Sequence, residues 1–181
     1  MPSKDGQLET AISLVLAEAA PALAEAHWDT YPERVSEAIP LSITLLYPFV
    51  PCESLTRAHP DTLRELFAER PPLVFELTRL AEFPGAVVYA VPEPDVELRA
   101  TMRALWGLFP EYPPYGRPGS DPPPHATLAL FADKDPDAVW NAVVRRVDGL
   151  LPARCVAGEV SLLEEHEADR WRVRELFPLG G

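Results

Sequence analysis

The stretch IPLSITLLYPF, from Ile39 to Phe49, returns imperfectly as PPPHATLALF, from Pro122 to Phe131. Set Pro40 against Pro123 and both contain Pro-x-[Ser or His]-x-Thr-Leu, with Ser42, Thr44 and Leu45 matched by His125, Thr127 and Leu128. Both read as strands, spanning about 42–49 and 125–131, since β-branched and aromatic residues sit between proline-rich punctuation. Residues two apart on a strand share a face, so Ser42 projects beside Thr44 and His125 beside Thr127. Ile43, Leu45, Ala126 and Leu128 point the other way and anchor the strands in a core.

Working outward, the 22 prolines bracket the remaining elements. TAISLVL reads as a short strand and the Ala-rich stretch from Pro21 to about Ala38 as a helix. HPDTLRELFAER places Leu63, Leu66 and Phe67 on one helical face behind a Pro-Asp first turn. LVFELTRLAEF and AVVYAVP follow as strands around Pro84-Gly85. PDVELRATMRALWGLF sets Leu98, Met102, Leu105 and Phe109 at helical spacing. KDPDAVWNAVVRRVDGLL starts on Asp-Pro and carries a Val139, Val143, Val147 stripe. ARCVAGEVSLLEE and DRWRVRELF complete the chain as two strands, with EHEAD as the reversal.

Helix, motif strand, helix, strand, strand thus occurs twice, and Ser42 and His125 lie 83 residues apart, about one such unit. The fold class is α+β. An internal duplication, with two pseudo-symmetric lobes facing each other across a cleft, is the simplest account. An ordinary α+β domain with two similar strands is the alternative. At 181 residues, 47% of them hydrophobic, the chain suits a single domain over 1–181 with one sizeable core.

No apolar run approaches the ~20 residues needed to cross a bilayer, and MPSKDGQLET is polar where a signal peptide is apolar. The expected location is the cytoplasm. Cys52 and Cys155 lack metal or redox spacing and read as small buried hydrophobes. The formal charge of −12, from 28 acids and 16 bases, repels polyanions, so long nucleic acid is a disfavoured partner. A pocket can still hold one phosphate, because fields are screened beyond about 8 Å at physiological salt.

If the lobes are related by a pseudo-twofold axis, the two polar pairs converge in the cleft, where threonine hydroxyls and an imidazole hold a group such as a phosphate. Two facing His-x-Thr units make an acid/base pair, one imidazole taking a proton and the other giving one. Here Ser42 replaces one imidazole. Serine does not titrate near neutrality, and no base beside it activates it as a nucleophile. His27, His59 and His166 lie among charges or at a helix start and read as solvent-facing. The acids of EEHEAD read as an exposed reversal, not a metal cluster. Tyr47, Phe49, Tyr112 and Tyr115 are candidates for a wall on which a flat ligand stacks, or for packing.

With those residues in view, the sequence resembles the two-histidine (2H) phosphoesterase superfamily, in its bacterial 2′-5′ RNA ligase-like or cyclic phosphodiesterase branch. The resemblance spans nearly the whole chain and rests on PLSITLLYPFVP, RLAEFPGAVVYAVPEP, LWGLFPEYPPYG, PPHATLAL and WRVRELFPLG. It implies a bilobal fold, no metal or cofactor, and cleavage of small cyclic phosphates such as nucleoside 2′,3′-cyclic phosphates. It places His125 and Thr127 in the second catalytic motif, Thr44 in the first, and Ser42 where the family has a histidine. One expectation is a metal-free phosphoesterase impaired at Ser42, with His125 as general acid and Tyr47, Phe49 and Tyr115 binding substrate. The other is a non-hydrolytic relative that binds a small molecule, or cyclises or isomerises a metabolite, with His125 as lone acid or base.

Overall fold

In a computed structural model, residues 7–30, 39–131, 134–167 and 170–180 are described. The strands are β1 (Thr10–Val15), β2 (Ser42–Leu46), β3 (Leu73–Phe83), β4 (Val87–Glu93), β5 (Ala126–Leu130), β6 (Ala153–Ala157), β7 (Glu159–Glu167) and β8 (Arg170–Pro178). The helices are α1 (Pro21–Thr30), α2 (Ala58–Ala68), α3 (Val96–Leu108) and α4 (Pro136–Val147). The helix expected from Pro21 thus covers Pro21–Thr30, and 31–38 lie outside the described residues.

The strands form one eight-stranded sheet in the order β6-β3-β4-β5-β2-β1-β7-β8, antiparallel throughout. Its centre is the seam between the two motif strands, where Ile43 stands opposite Ala126. The strand expected over ARCVAGEVSLLEE is instead β6 and β7, interrupted only at Gly158. In a flat sheet β6 and β7 would lie six spacings of about 4.8 Å apart, roughly 29 Å, and one residue reaches at most ~3.6 Å. The sheet therefore curls until β6, at one end, reaches β7, the strand next to the other end, through Gly158.

The helices pack on the face that carries Ile43, Leu45, Ala126 and Leu128, none more than 1% exposed. Leu98 and Leu105 of α3, Leu23 of α1 and the Val139, Val143, Val147 stripe of α4 join that core, as their spacing requires. The Trp106 indole N–H donates to the Leu45 carbonyl at 2.8 Å and ties α3 to β2. Asp135 caps α4 by accepting from the Asp137 amide, with Pro136 in the first turn. The opposite face of the central strands is left to polar side chains.

Candidate functional site

Extending the antiparallel register one residue each way from Ile43–Ala126 sets Thr44 across from His125 and Ser42 across from Thr127. All four side chains share the face turned away from the core. The same face continues outward, because Ser13 of β1 is paired with Thr44 on one side and with Ser161 of β7 on the other. A row of hydroxyls therefore leads across four strands to the imidazole. The Ser13 hydroxyl is buried, and among the described residues it has no hydrogen-bond partner.

His125 is 9% exposed and held by several groups. Its Nδ1 lies 2.8 Å from the Pro123 carbonyl oxygen, which can only accept, so Nδ1 carries the proton and Nε2 keeps a lone pair. The Tyr115 hydroxyl stands 3.5 Å from Nε2 and is oriented to donate to it. Phe83 and Tyr89 meet the imidazole edge-on at centroid distances of 5.0 and 5.4 Å, and Tyr115 stacks at 6.3 Å. Removal from water lowers the His125 pKa, against the weaker upward pull of the Pro123 carbonyl. The resting ring is neutral at pH 7, with an unprotonated Nε2 on the side of the Tyr115 hydroxyl.

Tyr115 adopts φ 54°, a left-handed conformation unusual for a side chain of its size. Its amide donates to the Tyr47 carbonyl at 2.6 Å, which fixes the turn. Desolvation pushes the phenol up to about 12, so it stays protonated. Tyr47 lies edge-on to Tyr115 and to Trp171, at 6.5 and 6.2 Å, and its hydroxyl donates to the Glu9 carboxylate.

The family model of the 2′-5′ RNA ligase superfamily matches residues 15–169. The chain belongs to that superfamily. Among curated proteins none matches it. TT0787 of Thermus thermophilus is 22% identical, with a TM-score of 0.57 over 96% of this chain and 98% of its own. E. coli LigT, in a crystal structure complexed with 3′-AMP, is 15% identical, with a TM-score of 0.58 over 97% and 99%. A protein titled only phosphoesterase reaches a TM-score of 0.60 at 16% identity over 97% and 99%. The fold is shared along whole chains. No described helix is long and apolar enough to cross a membrane.

In this superfamily member the four motif residues sit together, but the predicted ligand wall is only partly there. Phe49 is 2% exposed and packs edge-on against Phe109 at 4.9 Å and Tyr112 at 5.6 Å, so it belongs to the core. It follows the end of β2, where strand alternation no longer governs its direction. Tyr47 and Tyr115 do adjoin the site. Phe83, Tyr89 and Trp171 were not singled out from sequence. The signal for Tyr89 was available, since in AVVYAVP it alternates with buried Val88 and Ala90.

Of the remaining histidines, His27 is not solvent-facing. His27 is 6% exposed, its Nε2 lies 3.3 Å from the Ile39 carbonyl, and burial lowers its pKa against hydrogen bonds to the Ile39, Leu128 and Thr127 backbone. It sits behind β5, on the helix side. His59 and His166 are half-buried. Cys155 is fully buried, with its thiol pushed up to about 11 by desolvation. Cys52 is only half-buried, and its thiol lies 3.3 Å from the Glu9 carbonyl.

Proposed function

We propose that the face between β2 and β5 binds a small phosphoester, a nucleoside 2′,3′-cyclic phosphate or close relative, and hydrolyses it slowly with His125 as the only titrating catalytic group. The observation that carries this is the seam itself: Thr44, Ser42 and Thr127 hydroxyls beside an imidazole whose Nε2 keeps its lone pair. Membership of the superfamily and the fold shared with LigT, whose crystal structure holds 3′-AMP, support it. The reaction and its substrate are our reading of that geometry.

The hydroxyls donate to the non-bridging phosphoryl oxygens, where charge builds as water attacks phosphorus. His125 Nε2 takes the proton of that water once the water displaces the long 3.5 Å contact from the Tyr115 hydroxyl, a role that suits a neutral buried imidazole better than that of acid. One P–O bond to water forms and one ribose P–O bond breaks. The leaving oxygen then meets Ser42, which has no proton to yield near neutrality, so it is protonated from solvent. Absence of one general acid costs typically ~10² to 10⁴ in rate, or roughly 3 to 5.5 kcal/mol of barrier.

A second reading is supported by the Tyr115 hydroxyl at Nε2. A neutral imidazole paired with a phenol that stays protonated fits a relative that binds, cyclises or isomerises a small metabolite without hydrolysis. A panel of 2′,3′-cyclic nucleotides separates the two. We expect measurable turnover that His125→Ala abolishes and that Ser42→His raises by about 10² or more. If neither the native chain nor Ser42→His exceeds His125→Ala, the hydrolytic reading is wrong.

A further inference from the structure

A cavity of about 350 Å³ opens beside His125, and no sequence motif pointed to it. Tyr89 and Pro123 belong to both places: the Tyr89 ring lies 5.4 Å from the imidazole, and the Pro123 carbonyl holds its Nδ1. Arg79 and Val91 are register partners on β3 and β4, and the first turn of α3 closes the far side with Asp95 and Arg99.

The chemistry of this cavity differs from that of the hydroxyl row. Arg99 Nε is 2.6 Å from an Asp95 carboxylate oxygen, and Arg79 is 3.6 Å from Glu93, which also accepts from the Thr78 hydroxyl at 3.1 Å. Two cations are thus matched by two anions. A phosphate entering here would have to compete with carboxylates already in place. A flat, uncharged heterocycle would instead meet guanidinium donors next to carboxylate acceptors, in a lining that also holds the Tyr89 ring and four prolines. The volume lies at the lower end of small-molecule sites, enough for one base with part of its sugar.

We propose that the cavity formed by Arg79, Tyr89, Val91, Glu93 and Arg99 is a nucleobase subsite, which seats the base of a nucleotide whose phosphate lies on the hydroxyl row beside His125. The proposal rests on the phosphoester reading and adds where the rest of the ligand goes. It also moves base recognition away from Phe49, which the core has absorbed.

The test is an NMR titration of the His125 imidazole in the full chain with nucleoside 3′-monophosphates, ribose 5-phosphate and inorganic phosphate. Native protein should bind at least one nucleotide about tenfold or more tighter than ribose phosphate, the lower range of what stacking one base supplies. Arg79→Gln and, separately, the charge-neutral double change Asp95→Asn with Arg99→Gln should bring that ratio toward one, while phosphate still shifts His125. Melting curves check that each variant is folded, and Arg79, on an exposed stretch of β3, is the one least able to disturb the fold. A native ratio near one, or a ratio kept in both folded variants, overturns the subsite. If no phosphate compound shifts His125 in the native protein, the phosphoester reading falls, and the subsite with it.

Discussion

At the scale of single residues, the protein holds two buried imidazoles whose protonation the fold opposes. His125 and His27 are both depressed chiefly by desolvation. Their ordinary value is near 6.5, which the unfolded chain regains. Below that pH the unfolded state binds protons that the native state refuses, so stability falls as pH drops and levels off once the folded imidazoles titrate. We expect the melting temperature to fall steadily between pH 7 and 5.5. His27→Gln removes one such proton and should flatten the slope of unfolding free energy by up to ~1.36 kcal/mol per pH unit. Denaturant melts at three pH values measure this, and an unchanged slope would mean that His27 binds protons equally in the folded and unfolded chain. His27 also shows where local sequence misleads. AEAHWDT surrounds it with acids, yet Leu23 lies one helical turn away, at i−4, and is 1% exposed, so the face rather than the neighbours sets its burial.

At the scale of elements, strand alternation was legible because each strand has one core face, and β3 alternates buried and exposed from Leu73 to Leu77. What the sequence did not carry was partner choice. β2 and β5 meet through Ile43 and Ala126, and no local pattern says that two strands 83 residues apart form the central seam. The cavity beside Arg79 also depends on partner choice, since β3, β4, α3 and the approach to β5 build it together, so it too was hidden. The β7–β8 hairpin supplies a further case. Glu164 is 9% exposed at its side chain and accepts from Arg172 at 2.6 Å and Arg174 at 2.5 Å. Desolvation pushes its pKa up, but the two guanidinium hydrogen bonds and charges outweigh it and the net shift is downward. This stabilisation is present above the ordinary carboxylate range and is lost as pH falls through the lowered folded value. Arg172 and Arg174 are 62% and 42% exposed, so water recovers much of what they lose. Glu164→Gln should cost about 1 kcal/mol at pH 7, a drop of roughly 2–4 °C in melting temperature, and less at pH 3. An equal loss at both pH values would locate its contribution in packing.

At the scale of the whole molecule, charge and curvature select the size of the ligand together. A surface with 28 acids and 16 bases repels a long polyanion before it reaches any pocket. On the phosphoester reading the motif strands need no positive field, because hydroxyls such as Thr44 hold one phosphate by hydrogen bonds over a few ångströms. The sheet curls until β6 and β7 join through Gly158, and a curled sheet offers no long flat track. A chain of nucleotides would need both a basic path and an open one. The protein should therefore show no saturable binding of a 30-nucleotide single-stranded RNA by fluorescence anisotropy at low micromolar protein, at either 50 or 200 mM salt. Non-specific nucleic-acid binders reach dissociation constants of about 10⁻⁴ to 10⁻⁶ M and weaken steeply over that salt range as counterions are released. A mononucleotide, held through one phosphate, should change its affinity little between the two salts. Tight RNA binding with a steep salt slope would require a local basic surface acting against the net charge of −12, and would redirect the substrate from small phosphoesters to RNA ends.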